Sequence, residues 1–197
     1  MTLTEITTAM KAYNNIINDG NALVELYKQG SYFDYMKSHL HTSDNVHAYP
    51  GINDKGELIF FVIPSHYDTS STTDITNYIA VCPIQHWLLG GGNVLPVLVA
   101  QEMCERWIND YETWIPAQVP TTNGMFLAFK IPAEDFETST VRVNLALKKR
   151  AAATTGLAAD VVVTNMNDTE VYSYDFAHTV PPMPQTLTNS YYLLSLV

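Results

Sequence analysis

The chain has 197 residues, of which 47% are apolar and only 15% are charged, and its net charge at pH 7 is −10. Twenty acidic residues against ten basic ones disfavour nucleic acid and anionic membrane surfaces as partners, because both bind through clustered lysine and arginine. No apolar run approaches the roughly 20 residues that a membrane-spanning helix needs.

The N-terminal end of the chain predicts helices. Residues 3–18 place their apolar side chains at helical spacing, and Thr2 followed by Glu5 resembles a capping box at the start of this helix. A second helix is predicted over residues 21–29 and a short third helix over residues 32–40. The first 40 residues are therefore predicted to form a helical segment.

Strands are predicted next. Residues 46–52 and 57–63 flank a turn at 53–56, a pattern typical of a β-hairpin. The second of these strands is continuously apolar, which favours burial on both faces. A loop rich in serine and threonine follows over residues 65–76, and residues 78–84 predict another strand.

The clearest helix is predicted over about residues 93–115. Trp107 and Trp114 belong to its apolar stripe, with polar residues on the opposite side. Pro116 and Pro120 are expected to end it, because proline lacks the N–H that an interior helical position donates.

The remaining sequence predicts strands. They are expected over residues 125–131, 140–147, 159–165, 170–176 and 190–197. The third and fourth of them are predicted to form a hairpin across residues 166–169. The last is unusual for a chain end, because its apolar side chains would be unfavourable in water. We therefore expect it to dock, as a strand of the sheet or in a subunit interface.

The pattern of elements predicts an α+β fold. N-terminal helices are followed by a mainly antiparallel sheet packed on the long helix at about residues 93–115, since few gaps between strands are long enough for a crossover helix. The length fits a single domain over residues 1–197, with a helical segment at 1–40 and a sheet-rich body at 46–197.

Histidines are the first candidates for chemistry. Five of the six lie between residues 39 and 86, and His39, His41, Asp44 and His47 fall within nine residues. Metal sites use this density of imidazole and carboxylate ligands. Residues two apart on a helix do not share a face, however, so His39 and His41 would point apart. We predict neither a metal site nor a cofactor.

The polar loop after the buried strand is the second candidate. Ser65, His66 and Asp68 bring three catalytic residue types together, but catalytic triads assemble from distant positions and four consecutive residues align poorly. Binding residues do lie on such loops. His66 and Asp68 are therefore predicted as ligand-binding residues, together with His86 and Trp87, which stand where the chain could face a cleft. The sequence does not identify a catalytic residue.

The favoured hypothesis is a non-catalytic binding or protein-interaction domain of unknown ligand, acting within an oligomer or complex. Sparse charge, the apolar C-terminal end and abundant tyrosine and tryptophan motivate it. One alternative is a small-molecule hydrolase, acting with or without a metal ion, with a cleft near residues 65–68 and 86–87. A further alternative is a carbohydrate-binding module that stacks sugars on aromatic side chains.

The partners and compartment follow from composition. A protein partner or self-association is expected, a small-molecule ligand is compatible with the sequence, and neither nucleic acid nor a membrane is expected. Two cysteines, Cys82 and Cys104, give no disulfide framework, and residues 1–18 lack the pattern of a signal peptide. The sequence therefore predicts a cytoplasmic protein, although an exported protein with its signal removed would look the same.

Overall fold

The computed structural model describes residues 1–36, 43, 45–86, 98–166, 171–174, 177–180 and 190–197. Within them the fold is α+β, as predicted. The helices are α1 (Leu3–Asn14), α2 (Gly20–Tyr27) and α3 (Leu98–Gln118). The strands are β1 (Tyr32–Met36), β2 (Asn45–Ile52), β3 (Leu58–Pro64), β4 (Ala80–Pro83), β5 (Ala128–Pro132), β6 (Thr140–Lys149), β7 (Leu157–Met166), β8 (Val171–Tyr174) and β9 (His178–Val180). Short 3-10 turns cover Ser65–Tyr67, Ile75–Tyr78, Val119–Thr121, Ala133–Asp135 and Tyr192–Leu196.

The strands form two antiparallel sheets. The first has the order β1-β6-β7-β8 and the second has the order β4-β3-β2-β5-β9. Their facing sides share one apolar core. Phe33 of the first sheet and Phe60 of the second stack with ring centroids 4.5 Å apart across it. The predicted single sheet is therefore a sandwich of two.

Helix α1 covers the outer face of the second sheet. Ile6 and Met10 pack into a second apolar cluster with Tyr49 and Phe61. Gly51 lets the helix approach closely, since a Cβ there would lie 2.7 Å from the Phe61 ring and 3.2 Å from the backbone carbonyl carbon of Ala9. The outer face of this sheet is consequently part of the buried interior.

Helix α3 covers the outer face of the first sheet. Met103 and Cys104 pack against Ala146 and Val162, which point away from the core between the sheets. This packing confirms the prediction of a long helix on the sheet. Among the described residues, no helix is long and apolar enough to cross a membrane.

Several local predictions are confirmed. The backbone N–H of Glu5 donates to Thr2 Oγ1 at 3.2 Å, and the N–H of Thr2 donates to Glu5 Oε2 at 2.7 Å, which completes the capping box. Strands β2 and β3 form the predicted hairpin, and β7 pairs with β8 as predicted. Each of these patterns is local in sequence, so it is visible without the fold.

Three predictions are wrong. Residues 32–36 of the expected third helix form β1, because they pair with β6 over residues 140–144; residues 37–40 lie outside the described part. Helix α3 continues through Pro116 to Gln118. Because Pro116 lies in the last turn, its missing N–H removes a hydrogen bond only at the end of the helix. The C-terminal end is docked but is a 3-10 turn, so the predicted strand at 190–197 is incorrect.

Candidate ligand-binding site

Strand β2 presents two polar side chains to the outer face of the second sheet. Residues two apart on a strand share a face, so His47 and Tyr49 point outward while Val46 and Ala48 enter the core between the sheets. The outward side is covered by other elements, and His47 is only 3% exposed. Its buried imidazole therefore needs hydrogen-bond partners.

Asp68 supplies the principal partner. After β3 the chain makes the 3-10 turn Ser65–Tyr67, closed by a hydrogen bond from the Asp68 N–H to the Ser65 carbonyl at 3.2 Å. This turn brings the Asp68 carboxylate onto β2. There His47 Nδ1 lies 2.7 Å from Asp68 Oδ2, and the Tyr49 hydroxyl donates to the same oxygen.

The C-terminal end completes the cluster. The Leu193 N–H donates to Asp68 Oδ1 at 3.1 Å, so both carboxylate oxygens are engaged. The ring of Tyr191 packs on the imidazole of His47, with centroids 4.4 Å apart and planes inclined by 33°. Asp68 is 1% exposed and thus joins three parts of the chain in a buried position.

The hydrogen bonds assign proton positions. Burial, together with the neighbouring charge of Asp68, raises the pKa of Tyr49 well above its ordinary value, so its hydroxyl stays protonated and donates. Asp68 Oδ2 accepts from this hydroxyl, and His47 Nδ1 faces the same acceptor, which assigns the proton of the neutral imidazole to Nδ1. Nε2 then carries a lone pair and acts as an acceptor.

A cavity of about 300 Å³ adjoins this cluster. The described residues that line it are Asn45, His47, Ser65, Asp68, Thr69, Lys130, Ser190 and Tyr191. Because Nδ1 of His47 is turned to Asp68, Nε2 is the ring nitrogen that remains for a molecule in this cavity. The lining is otherwise rich in hydroxyl and amide groups, which both donate and accept.

Lys130 is the cationic side chain among the described residues that line the cavity. It lies directly opposite His47 in the β2–β5 ladder and directly opposite His178 in the β5–β9 ladder, so the three side chains form a row on one face of the sheet. Lys130 is half-buried, and within the described part of the chain it makes no ion pair. A lysine in this position is a donor for a negatively charged group.

Of the four predicted ligand-binding residues, the structure places Asp68 in the cavity lining and His66 and His86 outside that lining, and Trp87 is not described. Asp68 stands at the centre of the cluster. His66 is exposed, its ring packs edge-on against Tyr67 at 5.0 Å, and it does not line this cavity. His86 is exposed after β4 and does not line it either, and Trp87 lies outside the described residues.

The sequence alone did not reveal the partners of Asp68. His47 was considered only as one of four clustered residues of the kinds that bind metal ions, and the other three, His39, His41 and Asp44, lie outside the described residues. Among the residues that are described, no group of three or more histidine, cysteine or acidic side chains is placed to hold a metal ion. The available signal was the alternation of β2, which puts His47 and Tyr49 on one face.

The cysteines behave as interior apolar residues. Cys82 and Cys104 are both buried and form no disulfide bond, as their apolar sequence surroundings indicated. Burial raises the pKa of the Cys82 thiol to about 12, so it is protonated at neutral pH and a poor nucleophile. Neither thiol lines the cavity beside His47.

Comparisons with family models, with curated proteins and with solved structures find no match for this chain.

Proposed function

We propose that this protein is a non-catalytic binding domain for a small polar molecule that carries an anionic group and a hydroxyl group, and that the ligand occupies the cavity beside His47. The observation that carries the proposal is that a cation, Lys130, and the imidazole of His47, whose Nδ1 is engaged by Asp68, line one cavity. Hydroxy acids and sugar acids are the class of compound with both features.

The charges around the cavity favour an anionic group on the ligand. Asp68 is the only acidic residue among the described lining residues, and its oxygens already accept from His47, Tyr49 and Leu193. Lys130 makes no such internal pair with a described residue. Partial burial removes some of the water that would solvate the Lys130 ammonium group, which is unfavourable for an unpaired charge. A ligand carboxylate would offset this by forming a charge-assisted hydrogen bond with it.

The tautomer of His47 favours a hydroxyl group on the ligand. With its proton on Nδ1, His47 offers a lone pair at Nε2, and a ligand hydroxyl is the donor that satisfies it. The imidazole is held between the Asp68 carboxylate and the Tyr191 ring, so little conformational freedom is lost on binding. The cavity volume of about 300 Å³ suits a molecule of a few carbon atoms and lies at the small end of ligand sites.

The first prediction concerns Lys130. Calorimetric titration with a panel of three- to six-carbon hydroxy acids should detect binding, and Lys130→Gln should weaken it at least about tenfold, because a hydrogen bond to a charged group contributes roughly 1.5–3 kcal/mol. Lys149→Gln is the matched control, since it removes the same charge from an exposed strand end that does not line the cavity. Its affinity should be unchanged.

The same panel tests each half of the ligand. Replacing the carboxylate by a neutral amide should abolish the dependence on Lys130, and removing the hydroxyl should weaken binding even when Lys130 is intact. Amides that bind the protein as tightly as the acids do would contradict the proposal.

A second candidate function is hydrolysis of an ester, favoured by one observation: the 2.7 Å contact between Asp68 Oδ2 and His47 Nδ1. A carboxylate on Nδ1 orients an imidazole and stabilises its protonated form, as a general base requires. His47 Nε2 would take a proton from water as the water oxygen bonds to the ester carbonyl carbon. The bond to the alcohol oxygen then breaks, and that oxygen receives the proton from His47.

The second prediction follows from this candidate. If the site hydrolyses esters, nitrophenyl esters of short hydroxy acids should be cleaved faster than in buffer, and His47→Gln should remove the excess rate. His66→Gln is the control, because His66 is exposed and does not line the cavity. A rate at the buffer level in the unaltered protein, together with retained ligand binding, would leave only the binding function.

A further inference from the structure

A larger cavity, of about 580 Å³, opens at one end of the sandwich. It lies where the C-terminal part of α3 meets the β6–β7 turn, the start of β7 and the start of β9. Its described lining residues are Trp114, Gln118, Thr121, Thr122, Gly124, Met125, Phe126, Arg150, Ala152, Ala153, Thr154, Ala158, Ala159, His178 and Thr179. The two cavities share no residue in their described linings.

Small side chains keep this end of the sandwich open. Along the inward side of β7, Val161 and Val163 fill the space between the sheets, whereas Ala159, two residues earlier on the same side, contributes only a methyl group. The β6–β7 turn adds Ala152 and Ala153 at the mouth. Space that larger side chains fill elsewhere in the core is therefore left open at this end of the sandwich.

The floor of the cavity is apolar. Met125, Phe126 and Trp114 are each buried to at least nine-tenths and form part of the core between the sheets. The indole N–H of Trp114 is already used, since it donates to Thr155 Oγ1 at 3.2 Å. What these residues offer to the cavity is aromatic and aliphatic surface, which binds the apolar body of a ligand.

The rim carries one permanent charge, and it is positive. Arg150 is the only such residue among the described lining residues, none of which is acidic. Its backbone is fixed in the turn, because its N–H donates to the Gly156 carbonyl at 3.0 Å and its carbonyl accepts from Ala153 at 2.9 Å. Among the residues that the structure places, the Arg150 guanidinium makes no ion pair.

We propose that this second cavity binds a small amphipathic anion, with an aromatic or short acyl body on Phe126 and Trp114 and a carboxylate or sulfonate on Arg150. A planar guanidinium matches the geometry of such a group through two parallel hydrogen bonds. A cation beside an apolar floor selects against both neutral polar molecules and cations. This inference is independent of the function proposed for the His47 cavity.

Two fluorescent naphthalene probes test the proposal on the intact protein. Anilinonaphthalene sulfonate is an amphipathic anion, and phenylnaphthylamine is a neutral compound of the same aromatic shape. The native protein should bind the anionic probe at a single site. Arg150→Gln should raise its dissociation constant about tenfold and leave that of the neutral probe unchanged, as expected for loss of a hydrogen bond to a charged group.

Matched variants separate this site from general surface binding. Lys149→Gln removes the same charge one residue away and should not change either dissociation constant. Ala159→Leu places a larger side chain in the cavity and should abolish binding of both probes. Arg150 is exposed and Arg150→Gln leaves the backbone bonds of the turn in place, so this variant keeps the test valid even if Ala159→Leu does not fold.

Two results would overturn the proposal. One is an absence of saturable probe binding by the cooperatively folded protein. The other is that Arg150→Gln and Lys149→Gln weaken binding of the anionic probe equally. That result would mean that the probe responds to the general positive charge of this surface and not to Arg150 in particular. Titration of His47→Gln with the anionic probe should give the wild-type value, so failure here is distinct from failure at the first cavity.

Discussion

Deletion of residues 190–197 should leave the protein insoluble or misassembled. The deletion removes Leu193, which is 0% exposed in the cluster beneath α1, together with the Tyr191 ring on His47 and the N–H bond to Asp68. Loss of one buried leucine side chain costs about 2–5 kcal/mol, and total stability is roughly 5–15 kcal/mol. The measurements are the soluble yield and the thermal melting transition of the truncated chain.

Single substitutions refine this prediction. Leu193→Ala should lower the free energy of unfolding by about 2–5 kcal/mol in urea titration, because it leaves a cavity under α1. Ser195→Ala is the control in the same turn. The Ser195 residue is exposed, and its hydroxyl donates to the Tyr192 carbonyl at 2.6 Å within the same turn, so a change within about 0.5 kcal/mol is expected. A truncated protein with wild-type solubility and melting would refute the docking role.

The sequence predicted that this end docks but not how. Six apolar residues in the last eight made exposure unfavourable, and the structure buries Leu193 accordingly. The backbone was expected to pair as a strand. Instead the Leu193 N–H is used by Asp68, 125 residues away in sequence, and no local pattern reveals such a partner.

Strand β1 illustrates the same limit within the fold. Its five residues are too few for periodicity to separate a strand from a helix. What fixes the strand is pairing with β6, reinforced by Arg142, whose Nε donates to Asp34 Oδ1 at 2.9 Å and whose guanidinium lies 3.9 Å from the centre of the Tyr32 ring. The bond between Arg142 and Asp34 joins residues 108 positions apart, whereas the capping box and the hairpins depend on near neighbours.

The candidate site was predictable only in part. Asp68 was identified because a polar loop follows a buried strand, which is a local signal. His47 could not be given its role, since alternation along β2 defines two faces but not which elements cover the outer one. Lys130 and Tyr191 join the cavity through sheet pairing and C-terminal docking. The expected oligomer or complex stays a prediction, because it concerns contacts outside a single chain.

Asp68→Ala should be the most destabilising single substitution at the site. It leaves the Tyr49 hydroxyl, the His47 Nδ1–H and the Leu193 N–H without their acceptor in a buried position. Each buried donor that is left without an acceptor costs about 1–3 kcal/mol. Urea titration should show this loss. Asp74 is exposed, but its left-handed backbone (φ 50°) disfavours alanine, so Asp74→Ala is not a clean control.

Asp74→Asn is therefore the better control for the more informative variant, Asp68→Asn, since asparagine tolerates the left-handed conformation. In Asp68→Asn one carboxylate oxygen becomes an NH₂ group, which no longer accepts. The variant can keep the Leu193 N–H satisfied through its remaining oxygen, so it should lose less stability than Asp68→Ala. Its NH₂ then faces His47 Nδ1, which must become an acceptor, and the imidazole proton moves to Nε2.

This change of tautomer separates the role of Asp68 in stability from its role in the site. Nitrogen-15 NMR of the imidazole should find the neutral ring protonated at Nδ1 in the unaltered protein and at Nε2 in Asp68→Asn. A ligand hydroxyl can accept from Nε2–H as well as donate to Nε2, so the discriminating ligand is the methyl ether of the same acid, which can only accept. The ether should bind Asp68→Asn more tightly than the unaltered protein, while the acids without the hydroxyl should bind both equally, because Lys130 is untouched. Protonation at Nε2 in the unaltered protein would contradict both the assigned tautomer and the proposed recognition of a hydroxyl group.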